Sequence, residues 1–376
     1  MKIKDTKLNN ALNVVARWFV GLVFLFSSFT KGVDPMGTMF KVQDYMSNWT
    51  LFGSNFEWAY PLAGVLAVGL ICLEFAVGAL LLFNSFRKIT AWTLAVMMLF
   101  FTATTLVDAV TNLVDDCGCF GDFVKLTNWQ TFWKNVILDV PTVWILLSCG
   151  LQRRSRFERD IVVLISAVVV MLVFAIYNIK HEPVLDFRPW KIGNQMLSRG
   201  ADETPKSYVT YKNTATGEEM EFESAKLMEY MSDSSWASQW EWLSSRVETP
   251  EVLAPGFSMM DMDLEDHAVD MVAADEGLEI ITLWDLAGVD ERGLAEVKAA
   301  LTQSQENGTE IVILTSALPE EVQAWLYDNE MGEVPYYFAD ATAIKTMLRG
   351  NPGFVYLKKG VVVDKGRKAL ELRIEN

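Results

Sequence analysis

Apolar and polar positions follow two different rhythms along this chain. Through the first 180 residues the apolar runs are long, near 12 to 31, 61 to 83, 89 to 110, 130 to 149 and 160 to 179. Each is long enough, as a helix, to cross a hydrocarbon core of about 30 Å. The pattern predicts five transmembrane helices. The first is read as a retained signal anchor, because it is long, contains Arg17, ends at Lys31-Gly32-Val33-Asp34-Pro35 and shows no small-x-small cleavage site. The stretch from 33 to 60 is read as a loop.

Beyond Lys180 the rhythm shortens. Residues 181 to 190 carry two prolines and predict an extended connector along the membrane surface. Residues 208 to 222 alternate and turn at Thr216-Gly217, predicting a hairpin. Residues 224 to 249 are polar, tryptophan-bearing and poorly periodic. From about 250 the pattern gives a buried-type strand at 279 to 284, an amphipathic helix at 292 to 307 stopped by Gly308, and a strand at 310 to 315. A helix with proline in its first turn follows at 319 to 329, then a hairpin of 354 to 357 and 361 to 363, with a leading hairpin expected within 256 to 273. Strand, helix, strand, helix and terminal hairpin is the order of a thioredoxin-like α/β layer sandwich. The organisation is therefore a membrane α-helical bundle, four helices over 1 to 150 plus a fifth over 151 to 180, a connector with hairpin over 181 to 250, and an α/β domain over 251 to 376.

Charge changes the picture by dividing the chain. Residues 1 to 180 hold 15 Lys and Arg against 12 Asp and Glu, whereas residues 181 to 376 hold 17 against 36, so the net charge of -16 comes from the second half. Such acidity excludes a nucleic-acid surface, which needs clustered cations. Lys2, Lys4 and Lys7, then Arg87 and Lys88, then Arg153, Arg154, Arg156 and Arg159 mark one side as cytoplasmic. In a bacterial inner membrane the loop between the third and fourth runs and everything after Lys180 then lie in the periplasm, where disulfides persist. Trp49, Trp58, Trp129, Trp133 and Trp190 fit an aromatic belt at the outer interface.

That outer loop reads Asp115-Asp116-Cys117-Gly118-Cys119-Phe120-Gly121-Asp122 and holds two of the four cysteines. Gly118 gives the freedom for neighbours at i and i+2 to approach disulfide range. So short a ring removes little unfolded-chain entropy, which suits a working disulfide better than a structural one. Asp115, Asp116 and Asp122 oppose thiolate formation. Three readings stay open: thiol exchange by Cys117 and Cys119, a structural or unpaired cysteine pair in a tight turn, and a soft-metal site, for which two sulfurs alone are too few ligands. No metal is assigned. Cys72 and Cys149 sit in apolar helices and are read as small hydrophobes.

Charge within lipid is costly, so Arg17, Glu74 and Asp139 are candidates for a proton path or quinone pocket. Arg17 and Glu74 are expected to pair, with a helix-locking role as the plain alternative, and Asp139 beside Pro141 to be satisfied by Thr142 and Asn135. A quinone is the one candidate cofactor. Distally, no cysteine follows Cys149, so the strand at 279 to 284 leads into Trp284-Asp285-Leu286-Ala287-Gly288-Val289-Asp290 without the Cys-x-x-Cys of an active thioredoxin. Pro352 sits where that fold carries a cis-proline against which extended peptides dock, with an ordinary turn proline as the alternative. His267 is read as a surface residue.

Arg17, the Phe24-Leu25-Phe26-Ser27-Ser28 run with Lys31 and Asp34-Pro35, the Glu74 to Gly78 spacing and Cys117-Gly118-Cys119-Phe120-Gly121 together resemble the DoxX/MauE family of small membrane proteins, over roughly residues 11 to 150. The connector with Asp186-Phe187-Arg188-Pro189 and the domain behind it resemble a Bacteroidota-type fusion of that module to a thioredoxin-like periplasmic domain. The resemblance implies membrane thiol or electron-transfer chemistry: MauE-type proteins assist maturation of a disulfide-rich dehydrogenase subunit, and DoxX-type proteins are associated with quinone-linked sulfur oxidation. Three functions follow as expectations. One is a thiol-disulfide or electron-transfer protein acting on periplasmic clients, one a non-catalytic assembly or scaffold subunit of an envelope complex, and one a quinone-linked sulfur-compound oxidoreductase component. Expected partners are membrane lipid and an envelope protein; oligomeric state is open.

Overall fold

The computed structural model describes residues 6–49, 55–114, 118–124, 126–149, 156–197, 206–224, 226–227, 236, 239–248, 252–254 and 256–370. Contacts divide the chain into two units, Met1–Arg188 and Pro189–Asn376.

In the first unit, α1 (Lys7–Val33) starts where the Thr6 hydroxyl accepts the Asn9 amide. It stops at Asp34, which caps the next helix in turn: its Oδ1 accepts Gly37 N at 2.9 Å, and Pro35 opens α2 (Pro35–Asn48). The expected 33 to 60 loop therefore contains a helix, too short and too polar to register as an apolar run. A 3-10 segment (Glu57–Leu62) leads into α3 (Ala63–Leu82), followed by α4 (Arg87–Thr111), α5 (Asn128–Ser148) and α6 (Phe157–Lys180). Thr127 and Gln130 form a reciprocal capping box at the start of α5.

Four helical stretches are long and apolar enough to cross a membrane: Lys7–Val33, Glu57–Leu82, Arg87–Thr111 and Phe157–Lys180. The remaining expected span is present as α5, but Asn128, Gln130, Lys134, Asn135 and Asp139 interrupt its apolar run, so it falls outside that set. Val65, Val96, Leu99, Val140 and Val173 point outward, as helices solvated by lipid require. The buried side is filled by Val20, Phe24, Val77, Leu81, Leu94, Met98 and Leu138. At the α1/α3 contact two glycines face each other: a Cβ on Gly78 would lie 3.0 Å from Gly21 O, and one on Gly21 3.1 Å from Gly78 O. Small residues let the two backbones approach this closely.

The connector is folded rather than merely extended. Arg188, 2% exposed, pairs with Asp186 at 2.8 Å and Glu182 at 3.1 Å, and the Asn178 amide group bonds Gly32 O at 3.1 Å. Burial works to lower the guanidinium pKa, but the Asp186 hydrogen bonds and charge, with Asp34 and Glu182 behind them, raise it above its ordinary value. Trp58, Trp129 and Trp133 are exposed, as an interfacial belt needs. Trp190 corrects the expectation: it is 1% exposed in the core of the second unit, its ring 4.7 Å from that of Phe257. Its apolar body closes a soluble core rather than meeting lipid.

The second unit contains two sheets. One has the order β2-β1-β3, with β1 (Lys206–Asn213) antiparallel to both β2 (Glu219–Glu223) and β3 (Trp240–Glu248). The β1/β2 pair is the expected hairpin; β3 lies in the segment without a clear period, where Trp236 and Trp240 stack at 5.9 Å and Trp236 meets Tyr211 at 5.1 Å. Aromatic packing on one face replaces strict alternation there.

The other sheet has five strands in the order β6-β5-β4-β7-β8: β4 (Leu278–Leu283), β5 (Glu310–Thr315), β6 (Tyr336–Phe338), β7 (Gly353–Lys358) and β8 (Val361–Gly366). The first three run parallel; β7 and β8 are antiparallel to their neighbours. Helices α7 (Ala268–Val272), α8 (Glu291–Asn307), α9 (Pro319–Asp328) and α10 (Ala341–Met347) accompany them. Ile281, Leu283, Ile313 and Phe354 pack with α8 and α9, while Leu278, Ile280, Leu314 and Val355 pack with α7, α10 and Trp190. Glu279 shares the face of Ile281 and is 1% exposed. The leading hairpin expected within 256 to 273 is present only as a single antiparallel bridge, Met260 opposite Asp266, with Asp261 N donating to Glu265 O at 3.0 Å and His267 N to Met259 O at 2.9 Å. At its tip Asp261 Oδ1 accepts the amides of Asp263 and Glu265, and α7 follows.

Candidate functional site

The glycine contact between α1 and α3 sets the depth at which their polar residues meet. Ser27 and Lys31 are one turn apart on α1 and share a face. Glu74 lies one turn before Gly78 on α3. Lys31 Nζ and Glu74 Oε1 are 2.6 Å apart, and both side chains are almost wholly buried. The lysine ammonium also stands 5.7 Å from the Phe101 ring centre. The Ser27 hydroxyl completes the set: its Oγ is 3.1 Å from Glu74 Oε2 and 2.8 Å from the Cys119 carbonyl, so one proton serves two acceptors.

That second bond ties the cysteine loop to the ion pair. Gly118 and Gly121 have φ of +61° and +53°, and Gly121 N donates to Gly118 O at 3.0 Å, closing a tight turn. Gly121 is also where the loop touches α1, since a Cβ there would lie 3.3 Å from Thr30 O. Phe120 and Phe123 pack on Phe26 at 5.5 and 5.4 Å, and Lys134 Nζ sits 4.6 Å over the Phe120 ring. The string Cys-Gly-Cys-Phe-Gly thus divides its labour: glycines make the turn and the close approach, phenylalanines dock it, and the Cys119 backbone is held by Ser27. Cys119 is half-buried. Cys117, with Asp115 and Asp116, lies outside the described residues.

The other expected membrane residues have different partners. Arg17 does not pair with Glu74. It sits fourteen residues before Lys31 on α1, about 21 Å away along the helix axis, and donates to Asn13 Oδ1 at 2.9 Å and Leu81 O at 3.0 Å. Asp139 accepts from Thr102 on α4 at 2.9 Å, not from Thr142 or Asn135. Thr142 instead bonds Leu138 O at 2.8 Å, and Asn135 donates to Phe101 O and Thr105 Oγ1. Asp108, near the outer end of the third apolar run, is fully buried and accepts from Tyr45 on α2 at 2.6 Å. Tyr45 is invisible to a search for apolar runs, whereas Ser27 and Lys31 carried a signal in their spacing.

In the second unit the Asn351–Pro352 peptide is cis and Pro352 is buried, with α8 close enough that a Cβ on Gly293 would lie 2.5 Å from its Cδ. Beside it Asn351 Nδ2 donates to Asp285 O at 2.6 Å, and Trp284 Nε1 to Gly350 O at 3.1 Å. Among the described residues, Asp261, Glu265 and His267 could together offer ligands to a cation, their donor atoms lying within 4.8 Å of one another. His267 Nε2 is 2.8 Å from Asp261 Oδ2, and that hydrogen bond raises the imidazole pKa and lowers the carboxyl's, with the Glu265 backbone as the larger cause for the acid.

Residues 9–148 match the model of a protein family described as methylamine utilisation protein MauE. With the four apolar helical stretches, this makes the protein a membrane protein whose first unit is MauE-like. No curated protein and no solved structure matches the chain. The match takes in the α1/α3 crossing, the ion pair and the cysteine loop, and it stops before the second unit.

Proposed function

We propose that this is an inner-membrane thiol-disulfide redox protein, with Cys117 and Cys119 exchanging electrons with a periplasmic client. The carrying observation is the Cys119 carbonyl on Ser27, which shares its proton with Glu74 in the buried pair with Lys31. A client thiolate attacks the loop disulfide, a mixed disulfide forms, and a second client thiol resolves it, leaving the loop as a dithiol. Two electrons and two protons must then leave the loop, and a membrane quinone is the acceptor class that takes both. The Ser27–Glu74 bond gives one of those protons a place to move without opening the bundle to water. What the family's description says of methylamine utilisation supports a redox setting, and no more than that.

The second unit is proposed to be thioredoxin-like and to hold the client. Its support is a parallel β4–β5 pair with the intervening α8, and an antiparallel β7–β8 hairpin on the other side of β4. With no cysteine after Cys149, it works through binding alone. A scaffold role is the second reading, favoured by how firmly the loop is docked through groups other than sulfur.

Cys117→Ser and Cys119→Ser are each expected to abolish complementation of a deletion strain while membrane levels stay normal, because the turn is held by Gly121, Phe120, Phe123 and the Cys119 carbonyl. Full complementation by the double variant would leave only the scaffold. A compartment-specific reporter fused at Asn376 is expected to report the periplasm. A cytoplasmic signal would remove the oxidising environment the exchange needs.

A further inference from the structure

Arg17 poses a problem of charge balance at the opposite end of α1. It is 8% exposed, and its two hydrogen-bond acceptors, Asn13 Oδ1 and Leu81 O, are neutral. Among the described residues no carboxylate pairs with it. A buried guanidinium without a counter-charge is costly, and three of its five N–H donors remain unused. Arg87 lines the same cavity, with its Nε bonded to Asn84 Oδ1 at 2.9 Å. The buried Asp160 carboxylate acts on Arg87, so the charge left to balance in this cavity is that of Arg17.

The cavity is partly open, about 290 Å³ when the open space at its mouth is counted, and its walls come from α1, α3, the start of α4, the end of α5 and the turn between α3 and α4. Ser85 in that turn is 1% exposed, and its hydroxyl has no hydrogen-bond partner. An orphaned hydroxyl beside a guanidinium is a costly arrangement in an empty pocket and a useful one around an anion. The N-terminus of α4 lies on the same wall, but the amide of its cap residue Phe86 already donates to the buried Asp160 carboxylate at 2.8 Å, so the anion's partners are Arg17 and Ser85. By the positive-inside distribution this end of the bundle faces the cytoplasm, at headgroup depth.

We propose that this cavity binds a phosphate group, with Arg17 as the buried counter-charge and Ser85 as a neutral donor. Phosphate fits better than carboxylate because its additional oxygens match the surplus of donors, and because the membrane surface presents phosphate at this depth. The source is an anionic phospholipid headgroup or a free phosphate. The inference does not depend on the cysteine chemistry.

The test uses the purified full chain in neutral detergent, reading thermal unfolding in sodium phosphate against sodium chloride at matched ionic strength, and with phosphatidylglycerol against phosphatidylcholine. The expected result is a Tm raised by phosphate, by phosphatidylglycerol, or by both, and not by chloride or phosphatidylcholine. A response to phosphatidylglycerol alone identifies a lipid headgroup site, and a response to both identifies a site for any accessible phosphate. Arg17→Gln should lose the response. Ser85→Ala breaks no side-chain hydrogen bond present in the structure, so it should keep the unliganded Tm and weaken the apparent affinity about tenfold. If Arg17→Gln does not fold, Ser85→Ala decides. No stabilisation by either phosphate source, or undiminished stabilisation in Ser85→Ala, overturns the proposal.

Discussion

Lys31→Met is expected to destabilise the membrane unit by about 3–5 kcal/mol, the cost of leaving one partner of a buried pair uncompensated. The methionine fills most of the lysine's volume, so the loss is electrostatic rather than a cavity. Glu74 then has only the Ser27 hydroxyl, and its charge must be neutralised by a proton or by water entering the bundle. The double variant Lys31→Met/Glu74→Leu removes both charges and should recover most of the loss, because an apolar pair of similar size serves as well as an ion pair in lipid. Thermal unfolding of the parent, Lys31→Met, Glu74→Leu and the double variant in detergent measures the coupling. A double variant no more stable than Lys31→Met would mean that the two charges act separately. The cysteine loop provides a second readout, since Glu74 and the Cys119 carbonyl share the Ser27 proton: a carboxylate that has lost Lys31 draws that proton away from the loop, and Cys119 should alkylate faster in Lys31→Met.

The pH dependence of the second unit should be dominated by one buried acid. Glu279 stands at the centre of the five-stranded sheet, opposite Tyr356 on β7, and its Oε1 is buried without a hydrogen-bond partner. Burial pushes its pKa up to about 7. In the unfolded chain the same group titrates near 4.3. Between those values the folded state keeps a proton that the unfolded state has released, so stability falls as pH rises through this window, by about 4 kcal/mol in all, and levels off above 7. Glu279→Gln has no such titration. It should match the parent near pH 4 and exceed it by up to about 4 kcal/mol at pH 8. Hydrogen exchange of the slowest amides in Leu278–Leu283, corrected for intrinsic rates, reads this in the full chain. An unchanged difference between the two proteins across pH 5 to 8 would assign the slope to other groups.

Some of this architecture could be read from the chain and some could not, for physical reasons. Long apolar runs need no partner to be recognised, so α1, α3, α4 and α6 were legible. α5 was placed correctly as an element, yet its polar residues serve contacts with α4 that only packing discloses: Asp139 finds Thr102, and Asn135 finds Phe101 and Thr105. The partner of Glu74 was misread because depth was estimated from position along each run. The glycine contact sets the relative depth of α1 and α3, and the reach of Lys31 does the rest. In the second unit the strands of the larger sheet announce themselves as short apolar runs, and Gly308 and Pro319 mark helix limits. β3 did not, because its stability lies in rings stacked across neighbouring segments rather than in a period of two. The cysteine loop was legible as a motif, but its docking on Ser27 is a backbone contact and leaves no residue-type signature.

Gly21 and Gly78 place each helix backbone against the other's missing side chain, with Leu25 and Leu82 wedged on either side. Two rods joined this closely cannot roll independently, since turning either one drives a leucine into the facing carbonyl. A bilayer that thickens or thins must therefore be met by tilting both together. The alignment of Ser27 with Glu74 is then indifferent to the lipid around it, and the same protonic contact can be kept in membranes of different composition.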